Sequence, residues 1–411
     1  MIKVNKPKIR FNEFENTWIK SKLGELYEVY SGNTPSRSDS RNYQNGEIPW
    51  IKTTDLNNSI IYANEEKISV YGATKLKVLP EKSVLIAMYG GFNQIGRTGL
   101  LAYPATINQA LAALMPVNEI NPNFLLNFLN FKKESWRNVA ASSRKDPNIT
   151  KNDVEKLIIS FPSLYEQTAI GSLFRTLDDL LASYKDNLAN YQSLKATMLS
   201  KMFPKAGQTV PEIRLDGFEG EWEVQTLKEL ASFSKGNGYT KNDLVNSGKE
   251  IILYGRLYTN YQTIISKVNT FVTSVKVNTV ISKGGEVIVP ASGETAEDIS
   301  RASVVEKSGI ILGGDLNIIY PDENKVDSIF LALTISNGSQ QKELIKRAQG
   351  KSVVHLRNND LEKVVLHYPS MEEQRAIGSY FSNLDNLINS HQEKISQLET
   401  LKKKLLQDMF I

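Results

Sequence analysis

The chain has 411 residues, with 49 Lys and Arg against 45 Asp and Glu, a net charge of +4 and no cysteine. That length holds two or three domains with ample core, and the missing cysteines exclude disulfides and thiolate metal sites, as expected in a reducing compartment. A charge of +4 does not by itself announce a nucleic-acid binder, but it is uneven: residues 1–150 carry 19 basic against 13 acidic side chains, the remainder 30 against 32. A locally basic first part is compatible with a phosphate-facing surface. The start, Met1-Ile-Lys-Val-Asn-Lys-Pro7, lacks an apolar signal core. No apolar run approaches the roughly 20 residues of a membrane span, so a soluble cytoplasmic protein is expected.

In chain order, the first segment to note is Pro7-Lys-Ile-Arg-Phe-Asn-Glu-Phe-Glu-Asn-Thr-Trp18, because it returns as Pro211-Glu-Ile-Arg-Leu-Asp-Gly-Phe-Glu-Gly-Glu-Trp222. Leu23 and Leu26 then align with Leu227 and Leu230, and Gly32-Asn33 with Gly236-Asn237. Beyond these anchors the two middle segments diverge. Each is rich in short β-branched and aromatic runs broken by Gly, Pro and Asn, such as Lys82-Ser-Val-Leu-Ile-Ala-Met-Tyr89 and Gly285-Glu-Val-Ile-Val-Pro290. These read as mixed α+β domains with a curled sheet.

From Phe161 the pattern changes. Pro162-Ser-Leu-Tyr-Glu-Gln-Thr-Ala-Ile-Gly171 returns as Pro369-Ser-Met-Glu-Glu-Gln-Arg-Ala-Ile-Gly378, and the stretch Pro162–Phe203 matches its second copy at 18 of 42 positions without a gap. A self-match of that quality is an internal duplication. Seven-residue spacing places Phe174, Leu181, Leu188, Lys195 and Met202 in one row and Ile170, Leu177, Tyr184, Tyr191 and Met198 in another. The second copy supplies Phe381, Ile388, Ile395, Lys402 and Met409, with Ile377, Leu384, His391, Leu398 and Leu405. Alternating steps of four and three over nearly five heptads predict a coiled-coil seam. Lys195 and Lys402 stand at equivalent core positions, where a charge either fixes register or snorkels off the edge.

The expected plan is therefore a first globular domain at 1–160, a spacer helix at 161–203, a linker at 204–211, a second globular domain at 212–367 and a second spacer helix at 368–411. The linker holds Pro204, Gly207 and Pro211, which stop the first helix. Two like helices of equal length can pair antiparallel, giving an α+β protein with a pseudo-two-fold and its domains at opposite ends. Duplex DNA has two-fold axes of its own, so such a device can read two different half-sites with the helices as a ruler.

The Pro-Ser-x-x-Glu-Gln-x-x-Ile-Gly stretch, used twice, resembles the specificity subunit of type I restriction-modification enzymes. Ser31-Gly-Asn-Thr-Pro-Ser36, Ile48-Pro-Trp-Ile-Lys-Thr-Thr-Asp-Leu56, Leu85-Ile-Ala-Met-Tyr-Gly90 and Asn108-Gln-Ala-Leu-Ala-Ala-Leu114 resemble that family's recognition domains. The resemblance covers nearly the whole chain. It implies that each recognition domain reads half of a bipartite gapped site, while the helices set the gap and dock two adenine methyltransferase subunits. Restriction/translocase subunits complete the complex. It implies no cofactor on this chain, S-adenosylmethionine on the methyltransferase, and ATP with magnesium on the restriction subunit. The second domain departs from the pattern: on the sequence, Ile251-Ile-Leu stands for Ile48-Pro-Trp, and Gly255-Arg-Leu for Lys52-Thr-Thr.

Catalytic motifs are not supported. Gly91-Phe-Asn-Gln-Ile-Gly96-Arg97-Thr98 has phosphate-loop spacing, but Arg replaces Lys and Pro104 argues against the helix that such a loop must open. Asp146-Pro-Asn-Ile lacks the second proline and the aromatic of an adenine-methylating motif, and Pro321-Asp-Glu-Asn-Lys325 reads as a turn. His355, His367 and His391 are scattered, which favours neither a metal site nor a triad.

Arg37, Lys52, Thr53, Gln94 and Arg97 lie in Gly/Ser/Thr-rich loops and are candidate DNA contacts, as are Arg144 and Lys145. In the second domain the candidates are Arg256, Tyr258, Ser292, Glu294, Arg301 and Lys351. Trp18, Trp50 and Trp222 read as core. The competing class is a tandem-domain scaffold that joins proteins without reading DNA; a single-chain restriction enzyme is disfavoured by the missing catalytic motifs.

Overall fold

The computed structural model describes residues 6–91, 93–140, 148–350 and 353–411. Arg144, Lys145 and Lys351 lie outside the described residues. The chain divides into two compact units, Met1–Asp186 with Glu393–Ile411, and Asn187–Gln392.

In the first unit the strands are β1 (Ile19–Lys22), β2 (Tyr30–Ser31), β3 (Ile48–Ile51), β4 (Ser59–Ile61), β5 (Lys67–Ile68), β6 (Val84–Ala87), β7 (Thr98–Leu101), β8 (Thr106–Ile107), β9 (Leu111–Leu114) and β10 (Ile158–Phe161). They form a five-stranded sheet β2-β9-β6-β7-β4, a three-stranded sheet β5-β3-β8 and the pair β1-β10. The run expected at 82–89 is strand β6, buried at every residue. Unbroken burial of Val, Leu, Ile and Ala is the mark of a strand covered on both faces.

The second unit holds β11 (Glu223–Thr226), β12 (Ala231–Lys235), β13 (Leu244–Val245), β14 (Lys249–Ile252), β15 (Ile264–Ile265), β16 (Phe271–Val272), β17 (Glu286–Pro290), β18 (Ser292–Gly293), β19 (Ser303–Val305), β20 (Ile311–Leu312), β21 (Leu316–Pro321), β22 (Val354–His355) and β23 (Val365–Tyr368). Its sheets run β12-β21-β17-β19-β15, β13-β16-β14-β20, β11-β23 and β18-β22. The five-stranded order is that of the first unit, strand for strand. The parallel pairs recur as well: β4 with β7 and β15 with β19, β3 with β8 and β14 with β20. Middle segments with little sequence in common thus share one topology.

The ladders correct one equivalence drawn from the sequence. Trp50 and Ile51 pair with Thr106 and Ile107, while Ile251 and Ile252 pair with Ile311 and Leu312. Ile251 therefore stands where Trp50 stands, two residues from the sequence-derived match to Ile48. The slip arose because the stretch from the Gly-Asn pair to this strand is three residues shorter in the second unit, Gly236 to Ile251 against Gly32 to Trp50. Gly32 and Gly236 both pack against backbone: an added Cβ would lie 2.0 Å from the Ile107 carbonyl oxygen and 1.9 Å from that of Gly313.

The long helices span Leu164–Lys201 and Met371–Met409. Each unit contains part of both. In the first, Lys402 pairs with Asp178, and Lys185 with Glu399 at 2.7 Å, so residue numbers rise on one helix as they fall on the other. In the second, Lys195 pairs with Asp385, and the rings of Tyr191 and His391 meet at 5.2 Å. The helices are antiparallel in both. Phe174, Leu181, Met202, Phe381, Ile388 and Met409 are buried, and Leu188, Lys195, Ile395 and Lys402 are half-buried. Of the two roles left open for the seam lysines, neither escapes alone to solvent: each meets an aspartate of the other helix, with about a fifth of its side chain exposed (20% and 18%).

Just past the end of each helix a phenylalanine fills a core. Phe410 packs on Phe124, Phe131 and Phe174 in the first unit, and Phe203 on Trp222, Phe330 and Phe381 in the second. Trp18, Trp50 and Trp222 are all buried, at 4% exposure or less. Among the described residues no helix is long and apolar enough to cross a membrane.

Candidate nucleic-acid interface

The residues that recur at the start of each long helix hold the recognition domain in place. Ser163 and Ser370 accept from the backbone N–H of Glu166 and Glu373, as N-caps do. Glu166 takes both Nε and Nη2 of Arg10 at 2.7 Å, and Glu373 takes the same atoms of Arg214 at 2.7 and 2.6 Å. Both carboxylates are 1% exposed. Gln167 accepts from the Asn121 N–H and donates to the Glu119 and Pro162 carbonyls; Gln374 accepts from Asp327 and donates to Lys325 and Pro369. Asn121 and Asp327 in turn cap the helices Pro122–Lys132 and Ser328–Ile335. Gly171 lets the helix approach that cap, since a Cβ there would sit 3.1 Å from the Asn121 side-chain oxygen. The repeated motif is therefore a structural lock, and the candidate contacts chosen from the sequence lie on other loops.

In the first unit those loops converge on a carboxylate that sequence reasoning missed. Glu66 pairs through one oxygen with Arg37 and through the other with Lys52 at 2.7 Å. The two cations hold the Glu66 carboxyl below its ordinary value, Arg37 by its hydrogen bond first and Lys52 second. The Arg37 guanidinium lies 4.3 Å above the Tyr43 ring and 5.3 Å from that of Trp50. Its neighbour Arg41 grips Asp39 with two hydrogen bonds and sits 4.8 Å above Tyr71. Thr53 is half-buried at the start of a short 3-10 turn after Lys52.

Arg97 belongs to a second loop. It follows Gly96, held at φ +72°, donates to the Asn93 carbonyl at 3.1 Å, and lines a cavity of about 310 Å³ with Lys133 and Arg137. Gln94 is half-buried in the same turn. The chain then enters strand Thr98–Leu101 and no helix, so the phosphate-loop spacing is incidental.

In the second unit the candidates disperse. Arg256 donates to Asn269, Gln262 and the Lys267 carbonyl, and burial pushes its guanidinium below the ordinary value. It braces a loop from within. Ser292 is buried in the β18-β22 pair, a strand residue and no surface donor. Tyr258 lies against Tyr254 with ring centres 6.1 Å apart, Glu294 is exposed, and Arg301 lies 5.6 Å over Tyr261. The residues missed here are Lys276, Tyr239 and Asp243. Lys276 lies 4.5 Å above the Tyr239 ring and 2.7 Å from Asp243. Lys276 and the backbone N–H of Thr240 hold the Asp243 carboxyl down at about 2. The sequence signal was the place of Tyr239 and Asp243 just after the repeated Gly-Asn pair; Lys276 had none.

Residues 15–190 and 219–400 match the family described as type I restriction modification DNA specificity domain. The chain is 21% identical over 405 residues to the type I restriction enzyme MjaVIII specificity subunit of Methanocaldococcus jannaschii, covering 95% of this chain and 91% of that one. It is 22% identical over 387 residues to the EcoprrI specificity subunit of Escherichia coli, with 92% and 89% covered. The fold is similar to the crystal structure of a type I restriction-modification S subunit from M. genitalium, with a TM-score of 0.66, 16% identity and 99% of each chain covered.

Proposed function

Because the chain belongs to the type I restriction modification DNA specificity family, we propose that its two recognition domains read the two unlike halves of a gapped site in double-stranded DNA. The carrying observation is one sheet order used twice under loops that differ, since a shared frame with unlike loops suits two different half-sites. Arg37, Lys52, Thr53, Gln94 and Arg97 are the contact set of the first domain, with Lys133 and Arg137 beside Arg97 as phosphate partners. Tyr258, Glu294 and Arg301 belong to the second. Arg144, Lys145 and Lys351 extend the sets on the sequence argument alone.

The paired helices set the unread gap and take two copies of an adenine methyltransferase subunit. Leu180 and Leu194 recur as Leu387 and Leu401, and all four stay 40–44% exposed. Apolar side chains kept exposed in both copies of a repeat suit one kind of partner bound twice. Restriction/translocase subunits join that assembly; S-adenosylmethionine belongs to the methyltransferase, and ATP with magnesium to the restriction subunit. The chain itself directs and does not catalyse.

The test is co-expression with the methyltransferase subunit followed by mapping of methylated adenines. One gapped motif that vanishes on deletion of this chain supports the reading, and an unchanged methylation pattern supports the scaffold. Inserting four residues into both helices, about 6 Å of rise each, lengthens the unread gap; loss of binding with no new gap contradicts the ruler.

A further inference from the structure

Each unit holds a cation laid on an aromatic ring and pinned by a carboxylate, with the ring in the segment that follows the repeated Gly-Asn pair. In the first, Arg37 lies over Tyr43 and is paired with Glu66; in the second, Lys276 lies over Tyr239 and is paired with Asp243. Both rings are anchored to the smaller sheets' loops. The Tyr43 hydroxyl donates to the Pro35 carbonyl at 2.5 Å, and the Tyr239 hydroxyl to that of Ser274 at 3.1 Å. Yet the cations remain open to solvent, with 58% of the Arg37 side chain and 48% of the Lys276 side chain exposed, whereas Glu66 is 19% exposed. A long basic side chain on a free surface samples many rotamers, and ordering it on binding costs affinity. Ring and carboxylate remove that cost in advance. Glu66 engages one terminal nitrogen of Arg37, so most of its five N–H donors stay available to a ligand.

We propose that Arg37 and Lys276 are the cations that contact a guanine in each of the two half-sites, with Glu66 and Asp243 as the residues that position them. The inference rests on the specificity reading above. A guanidinium fork matches the O6 and N7 acceptors of guanine in the major groove, and Lys276, whose ammonium also donates to the Gly238 carbonyl at 2.8 Å and to Asp243 at 2.7 Å, keeps one donor that reaches either acceptor as a point charge. The sequences of the two clusters share no residue type except tyrosine, which is what two readers of unlike half-sites require.

The test uses the full chain co-expressed with the methyltransferase subunit, methylated adenines being mapped for the wild type and for Arg37→Ala, Arg37→Lys, Glu66→Gln and Lys276→Ala. Arg37→Ala is expected to lower the preference for guanine at one position of one half-site by about tenfold to a hundredfold, leaving the other half unchanged. Lys276→Ala does the same in the other half. Glu66→Gln relaxes the same position as Arg37→Ala, to a smaller extent, with the salt dependence of DNA binding unchanged. Arg37→Lys keeps the charge and loses the fork, so it does not restore the guanine preference. Overturning results are an unchanged motif in both alanine variants, a change in both halves from one substitution, or a uniform weakening with a salt slope lower by about one, which marks a phosphate contact. If Arg37→Ala fails to assemble, Arg37→Lys decides by the same criteria. A wild type that directs no gapped motif sinks the specificity reading, whereas a wild type that does, beside silent variants, sinks this inference alone.

Discussion

At the start of the first long helix, Glu166, Gln167 and Gly171 make the contacts that Glu373, Gln374 and Gly378 make at the start of the second. In the smaller sheets nothing comparable is kept: Trp50 stands where Ile251 stands, and Arg37 over two rings is answered by Lys276 over one. The difference separates two kinds of demand. A buried Arg–carboxylate pair and a glutamine that caps another helix tolerate no change of partner, so both copies hold them fixed. Loops that face solvent are free to diverge, and divergence there alters what is read without altering what is folded.

The sharpest way to break this contrast is to remove a locked carboxylate. Glu166→Ala and Glu373→Ala each leave an arginine with 11% or 15% of its side chain exposed and no counter-ion. Each is expected to lose about 3–5 kcal/mol of stability, measured by chemical denaturation, and the two losses should be similar. A smaller loss of about 1–3 kcal/mol is expected for Gly32→Ala and Gly236→Ala, where the new methyl meets a carbonyl oxygen at 2.0 or 1.9 Å; the same denaturation curves read it. Within the helix pair, Asp385→Ala strands Lys195 in the seam and also releases Thr263, which donates to the same carboxylate at 3.2 Å. It is expected to cost about 1–3 kcal/mol, against about 1 or less for Glu399→Ala, whose partner Lys185 is 54% exposed. Equal costs would show that the seam lysines are not set apart from surface ions.

The finest effect is on titration. Asp243 is depressed to about 2, chiefly by Lys276, against an ordinary carboxyl value near 3.9. A depressed carboxyl stabilises the folded state above its unfolded pKa, and that contribution disappears as pH falls from about 4 toward about 2. Lys276→Ala should raise the titration midpoint toward the ordinary value, followed through the carboxyl carbon shift by NMR.

Much of the frame was legible in the sequence because repetition fixed it. The seam rows announced themselves by heptad spacing, and the strands at 84–87 and 286–290 by short β-branched, apolar runs bounded by Gly, Pro and polar residues. The helix-start motif was legible as a pattern but not as a device, since Glu166 meets an arginine 156 residues earlier. The clusters around Arg37 and Lys276 were only half visible. Arg37 and Lys52 could be chosen as exposed cations in polar loops, but the carboxylate that gathers them lies on the far side of two strands. For Arg256 the sequence showed the charge but not its bracing bonds to Asn269, Gln262 and the Lys267 carbonyl. Such partners come from tertiary contact, which local spacing does not encode.

The most direct measurement is a domain exchange. Residues 20–150 are replaced by the corresponding segment of another specificity subunit, the chimera is co-expressed with the methyltransferase subunit, and methylated adenines are mapped. The expected result is a gapped motif with one half changed, the other half kept and the gap length unaltered. A motif changed in both halves, or one left wholly unchanged, would contradict two independent readers on a common frame.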